Sequence, residues 1–298
     1  MKFDKLKKVY EHKYKALTII PFLILALAFI QIGVQYANTG DFLNRGISLK
    51  GGSAITITET FALSNDQLLL DLNQEFPLAQ VSLRTLNSVG NDLGVTIESA
   101  FQEQAEIDGL VNFIVEETGL DKNNFGIEII GSSLGESFFK QTFTALIIAF
   151  LLMGVVVFFY FRSIAPSMAV ILAAFSDIVV TLAIFNLTGI RLSTAGIAAF
   201  LMLIGYSVDT DILLSTRVLK RKEGSVMERI YGAMKTGLTM SGTTISAVGV
   251  ALFFVESEVV KQIMIVLFIG LLVDLVMTWI QNVGLIRFYL ERKEKHKK

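Results

Sequence analysis

Gly205-Tyr206-Ser207-Val208-Asp209-Thr210-Asp211 lies inside an apolar run long enough to cross a bilayer, and Arg217 stands where the run ends. From Ser193 to Thr216 the other residues are mostly Ala, Ile, Leu, Met and Phe. An ionised carboxylate at the centre of a bilayer costs about 2.5–3.5 kcal/mol even on the lenient insertion scale. Two of them in one run point to an ion or proton pathway, or to a buried polar contact that locks helices together. On an ideal helix Ser207, Asp211 and Ser215 share one face, whereas Asp209 lies about 200° from Asp211, on the face of Gly205 and Leu213. The two acids can share a groove only if the helix is locally irregular or buried on two sides.

Five more apolar stretches of membrane-spanning length surround this one. The six runs are Ala16–Gln35, Thr142–Phe161, Pro166–Leu187, Thr194–Ser215, Thr236–Phe254 and Gln262–Ile286. The first is expected to remain as a span, because Ala37-Asn38-Thr39 is a poor cleavage site for a signal peptide. Hydrophobic residues make up 53% of the chain, and the mean hydropathy of +0.60 is too high for a soluble domain of this size. There is no cysteine, which excludes disulfides and thiolate chemistry, and the two histidines, His12 and His296, sit in charged tails. No metal site and no cofactor are expected.

Near-neutral net charge hides an uneven distribution. The N-terminal tail, the C-terminal tail and the loop from Arg217 to Lys235 are rich in Lys and Arg. The stretch 37–138 holds many acids, among them Asp66, Asp71, Glu98, Glu106 and Glu117, against only Arg45, Lys50, Arg84 and Lys122. The positive-inside rule then places both termini in the cytoplasm and residues 37–138 outside the cell membrane. The basic tails are thus a topology signal, and no nucleic-acid partner is expected. Arg162, Arg217, Lys235 and Arg287 stand at span ends, where they can snorkel to the interface. Arg217 and Lys235 are candidates for cations at a cytoplasmic mouth.

The order is a tail and first span (1–36), an external domain (37–138), five clustered spans (139–288) and a basic tail (289–298). In the external domain Ser53–Thr58, Gln80–Leu86, Leu93–Ile97 and Phe125–Ile130 have strand character, with turn residues at Asn87–Asp92. Gln67–Phe76, capped by Ser64-Asn65-Asp66 and ended by Pro77, and Glu106–Thr118, stopped by Gly119, have helical faces. The order β-α-β-β-α-β predicts a ferredoxin-like sheet with both helices on one side. The domain carries no Ser/His/Asp set and no phosphate-binding loop, so no enzyme is expected. The fold class is an α-helical polytopic membrane protein with six transmembrane helices and this α+β domain between the first and second.

Glycine motifs flank the domain: Gly46 with Gly51-Gly52 before it, Gly131 and Gly135 after it. Paired glycines permit positive φ and close backbone approach; ordinary turns are the plainer reading. Asp177 lies mid-way along the third span and Asp274 along the sixth. No Lys or Arg lies within the hydrocarbon. The four acids must therefore be protonated, hydrogen-bonded, hydrated or paired with another chain. The fifth span carries Gly237, Ser241, Gly242, Thr243, Thr244, Ser246, Ala247 and Gly249. These suit tight helix packing, or a polar wall facing the fourth span.

Gly46–Gly52 before an external domain, Gly131–Gly135 after it, and Ile204-Gly205-Tyr206-Ser207-Val208 running to Arg217 resemble the SecF branch of the SecD/SecF protein-export family over nearly the whole chain. The resemblance implies a fold related to the resistance-nodulation-division transporters, with Gly205 in the fourth-span motif. It implies a SecD-like six-span partner, contact with the Sec translocation channel and exported polypeptides, and residence among membrane lipids. The bacterial motif is Gly-Tyr-Ser-Val-Asn-Asp-Thr; here Thr210 takes the place of its Asp, with a carboxylate on either side, a form resembling the archaeal branch. The candidates for a proton relay are thus Asp209, Asp211, Thr210, Asp177 and Asp274. The resemblance implies an accessory subunit of protein translocation coupled to proton movement. Two other functions fit the residues: a half-transporter exporting small molecules or lipids, and a membrane assembly factor whose acids only lock it to a partner.

Overall fold

The computed structural model describes residues 7, 9–59, 63–88, 91–221, 223–255 and 257–295. The first helix, α1 (Tyr14–Thr39), ends on Gly40, whose φ of 75° lets its N–H reach the Tyr36 carbonyl. A single helical turn, Ile47–Lys50, leads into β1 (Gly52–Ile57), α2 (Asn65–Glu75), β2 (Ser82–Ser88), β3 (Asn91–Ser99), α3 (Gln104–Thr118) and β4 (Phe125–Ile130). Then come α4 (Ser132–Phe161), α5 (Ile164–Leu187), α6 (Thr194–Leu219), α7 (Val226–Phe254) and α8 (Glu258–Val276). A π-helical segment, Met277–Asn282, joins α8 to α9 (Val283–Lys295).

The element order between the first two spans is the one expected from the sequence. The four strands lie in the order β2-β3-β1-β4, every neighbouring pair antiparallel. Alternation sends Ile55, Ile57, Val95 and Ile97 to one face, where Leu68 and Leu72 of α2 and Ile107, Leu110 and Ile114 of α3 cover them. Each such buried aliphatic side chain contributes roughly 1.5–3 kcal/mol. The expected turn at Asn87–Asp92 is shorter than its residues suggest. Asn87 pairs with Asp92 and Ser88 with Asn91 after a register shift at Leu86, leaving only 89–90, outside the described residues, between the strands.

Among the described residues six helices are long and apolar enough to cross a membrane: α1, α4, α5, α6, α7 and the composite α8–π–α9. Two begin well before their apolar runs, each for a local reason. The start of α4 is held by the lead-in turn, because Gly135 lies so close to Gly51 that an added Cβ would come within 2.5 Å of the Gly51 nitrogen. The start of α7 is fixed by a capping box between Ser225 and Glu228, which satisfies two otherwise orphaned backbone donors. Both glycine motifs thus serve one crossing. Gly51 holds φ at 88°, and a Cβ there would lie 2.5 Å from Ser132 Cα; Gly46 donates its N–H to Leu192 at 2.8 Å. Gly52 also has positive φ, whereas Gly131 has open space around its Cα.

Helix α6 packs against α4, α5, α7 and α8 and is the axis of the membrane part. At one end the α/β domain meets the α5–α6 loop, where Arg191 reaches Glu98 at 3.5 Å and the Gln80 carbonyl at 2.7 Å. The basic segments collect at the other end. Arg287 donates to the Tyr10 and Glu11 carbonyls, and the Tyr231 hydroxyl donates to Glu11.

Candidate functional site: a buried carboxyl cluster

Along α6 three zones follow one another. Ile197, Phe200 and Leu203 belong to an apolar cluster with Val266, Leu267 and Leu271 of α8. Leu214 and Val218 belong to a second, with Ile230, Trp279, Val283 and Ile286. Between these layers the same face of α6 presents Ser207 and Asp211, which are 1% and 0% exposed.

Two further acids from other helices are buried there: Asp274 of α8, which shares a hydroxyl group with Asp211, and Asp177 of α5, which is bonded to Ser207. Ser207 donates its hydroxyl to Asp177 Oδ2. Asp211 Oδ1 accepts from Asn282 Nδ2 at 2.6 Å and lies 3.0 Å from Thr278 Oγ1. The same Thr278 oxygen is 2.9 Å from Asp274 Oδ1. In each acid the second oxygen is buried with no hydrogen-bond partner. The carbonyl oxygens of Gln281 and Asn282 and the Ser215 hydroxyl are in the same condition. No lysine or arginine is hydrogen-bonded or salt-bridged to these acids among the described residues. Such a constellation can hold protons and pass them between oxygens. It is built to carry few negative charges at once, since like charges in low dielectric repel strongly.

The π-helical segment supplies the neutral half of the site. Thr278, Gln281 and Asn282 are all completely buried. Gln281 donates to Ser176 Oγ at 3.1 Å and so ties the sixth span to α5. π-helical turns replace i→i+4 bonds by i→i+5 bonds and are frequent at functional sites. These residues are absent from the sequence-derived candidates. The available signal was Thr278-Trp279-Ile280-Gln281-Asn282, three polar residues in five within an apolar run.

The other candidates lie elsewhere. Asp209 is exposed on the opposite side of α6 beside Gly205, so the acidic pair is divided between a sealed interior and an open face. Thr210 is buried against α7, with its hydroxyl donated back to the Tyr206 carbonyl at 3.2 Å. Arg217 is committed to the Gly232 carbonyl at 2.5 Å and clasps α6 to α7, while Lys235 is exposed. The small-residue fifth span turns Gly237 and Ser241 inward, but Gly242, Thr243, Ser246 and Ala247 face outward.

This architecture has relatives. The family described as protein export membrane protein SecD/SecF, C-terminal, matches residues 111–292. The chain belongs to the SecD/SecF family. The protein-export membrane protein SecF of Pyrococcus furiosus is 38% identical over 98% of this chain and 96% of its own length. The SecF of Methanocaldococcus jannaschii is 37% identical over 93% and 96%. In fold, the chain is similar to the crystal structure of SecDF, a translocon-associated membrane protein of Thermus thermophilus, with a TM-score of 0.75 at 19% identity. That match covers 93% of this chain and 38% of the SecDF chain. Membership of the SecD/SecF family makes this a membrane protein of the protein-export class.

Proposed function

We propose that the chain acts as a SecF-type accessory subunit, paired with a SecD-like six-span protein beside the Sec channel, and helps exported polypeptides across the cell membrane by coupling their movement to protons. The observation that carries this reading is the shared Thr278 hydroxyl. It has one hydrogen and two carboxyl oxygens within 3.0 Å, Asp211 Oδ1 and Asp274 Oδ1. One of the two short contacts therefore needs a proton from a carboxyl group. Proton occupancy of Asp211 is thereby tied to that of Asp274, and Asp177 of α5 is held by Ser207, one turn along the same face of α6. The apolar layers on either side close the site to water in this conformation. A working cycle opens one layer at a time.

In the same reading both termini lie in the cytoplasm and the α/β domain outside, where it meets emerging polypeptide. The concentration of Lys and Arg at the end of the helices remote from that domain supports this orientation. The test is export of a reporter protein into vesicles containing the chain and its partner, with and without an imposed proton gradient. Asp211→Asn is expected to assemble and to lose the gradient-dependent part of export. Full gradient dependence in Asp211→Asn, Asp274→Asn and Asp177→Asn would discard the relay.

A second reading has one observation in its favour: the same hydrogen bonds join α5, α6 and the sixth span, as a static lock would. Under it the three Asn variants export normally, because an amide can also make these bonds.

A further inference from the structure

Between α4, α5 and α6, at the end nearer the α/β domain, lies a cavity of about 260 Å³ lined only by apolar side chains. Phe143 and Leu146 of α4, Phe175 and Ile178 of α5 and Phe200 of α6 form its walls, and Phe42 and Leu43 its roof. It opens sideways, where Ile147, Leu151 and Phe175 are exposed. Leu43 also lines a second cavity, of about 700 Å³ and partly polar, which contains Arg45, Lys50 and Arg191; Asp41 pairs with Arg45 and Glu98 lies 3.5 Å from Arg191, and Lys50 has no carboxylate partner among the ion pairs of the described residues. The two are joined by an aromatic ladder. The Arg45 guanidinium lies 4.9 Å from the Phe139 ring, which stacks on Phe143 at 5.6 Å. Arg45 pairs with Asp41 at 2.6 Å, but its Nε–H is buried and has no hydrogen-bond partner.

We infer that this pair of cavities is a binding site for one anionic membrane lipid of the leaflet bordering the α/β domain, with a hydrocarbon chain in the apolar slot and its phosphate among Arg45, Lys50 and Arg191. The shape selects the occupant. A helix of a partner or of a translocating protein is about 10–12 Å across with its side chains, far too wide for the slot. An extended polypeptide would bring backbone N–H and C=O groups into a lining that offers them nothing. A hydrocarbon chain needs no polar partner. Leaving the bilayer for the slot gains a chain little, because lipid tails are as apolar as the lining. Selectivity must then come from the headgroup and the cations, and it must depend on salt.

The test uses the protein purified with the partner it retains, in nanodiscs of phosphatidylglycerol and phosphatidylcholine, with a photoreactive diazirine on the chain of one lipid or the other. Phosphatidylglycerol label is expected to concentrate on 143–151 and 175–182, in excess of label on the exposed face of α1 at Leu23, Leu27 and Ile30. Lys50→Gln, an exposed position with little risk to folding, should lower that excess about fivefold, the share of one interfacial cation. Arg45→Gln should lower it as much, and Leu146→Trp should abolish labelling of the slot by filling it. Phosphatidylcholine label should be unaffected by the two charge substitutions. Equal labelling of slot and α1 face, or no loss in Lys50→Gln, would overturn the inference. So would a crosslinker at Ile147 that captures a polypeptide instead of lipid.

Discussion

A single hydroxyl group sets the chemistry of the cluster. Thr278 Oγ1 is placed between Asp211 and Asp274 at 3.0 and 2.9 Å, and removing it breaks the hydrogen-bond link between the two acids without adding bulk. Interhelical hydrogen bonds in membranes are worth about 0.6 kcal/mol on average and at most about 1.7. Thr278→Val is therefore expected to fold, insert and pair, yet to lose gradient-driven export, whereas Thr278→Ser keeps it. Export equal to the parent in both variants would show that the hydroxyl is packing alone. Asp209→Asn should have far less effect on the gradient than Asp211→Asn, measured in the same vesicles, because Asp209 is on the open face of α6. The division between these two acids was legible from their spacing: two residues on a helix point apart, and α6 has no irregularity to bring them together. The pairing of Asp211 with Asp177 and Asp274 was not legible. It depends on the relative depth of three helices, which no single run encodes. Thr278, Gln281 and Asn282 were not legible as a site because uncharged polar residues commonly hydrogen-bond between membrane helices, and only the packing shows that these three face the acids.

At the scale of the helices, one glycine determines whether the π-helical segment fits. A Cβ on Gly237 of α7 would lie 2.2 Å from Trp279 Cζ2, inside the segment that carries Thr278 and Asn282. Gly237→Ala must push the indole, and with it the donors to Asp211. Overpacking of this kind costs about 1–3 kcal/mol. The expected result is a lower thermal midpoint and impaired gradient dependence, both restored by adding Trp279→Leu, which removes the ring the methyl would strike. If Gly237→Ala alone has the parent's midpoint and export, α7 does not hold the segment as described. The sequence showed the small residues of this span but not which of them were needed, since Gly237 and Gly242 look alike until the neighbours are known. Strand and helix order in the α/β domain was readable from alternation and caps. The length of the β2–β3 hairpin was not, because the register shift at Leu86 lets polar residues continue the ladder past the expected turn.

Viewed as a whole, the described residues hold an even number of candidate spans, basic ends together and a face that they do not themselves cover. The first two properties make orientation testable in a chain without cysteine: Glu117→Cys should react with an impermeant thiol reagent on intact cells, and Lys293→Cys only after lysis. Labelling of both on intact cells would refute the proposed topology. The third concerns Gly205, where an added Cβ would meet nothing within 4 Å beyond its chain neighbours and its own helix backbone, Tyr206, which is 42% exposed, and Asp209 beside them. On neighbouring α7 the outward hydroxyls of Thr239, Thr243 and Ser246 are satisfied by their own helix, bonding carbonyls three or four residues back at 2.8 Å. Lipid could therefore cover α7 at little cost. Covering an ionised Asp209 with lipid would cost about 2.5–3.5 kcal/mol even on the lenient insertion scale. A partner helix offering a donor, or water held at such an interface, meets that demand, and the bare Gly205 lets its backbone approach. Asp209→Leu and Gly205→Trp separate these cases. If the face meets lipid, Asp209→Leu is neutral or stabilising and Gly205→Trp is harmless. If it meets the SecD-like subunit, both variants reach the membrane as stable single chains, but recovery of the partner on affinity purification falls, most in Gly205→Trp, where an indole fills the space of the crossing. Undiminished recovery in both variants would move the pairing surface to another face of the molecule.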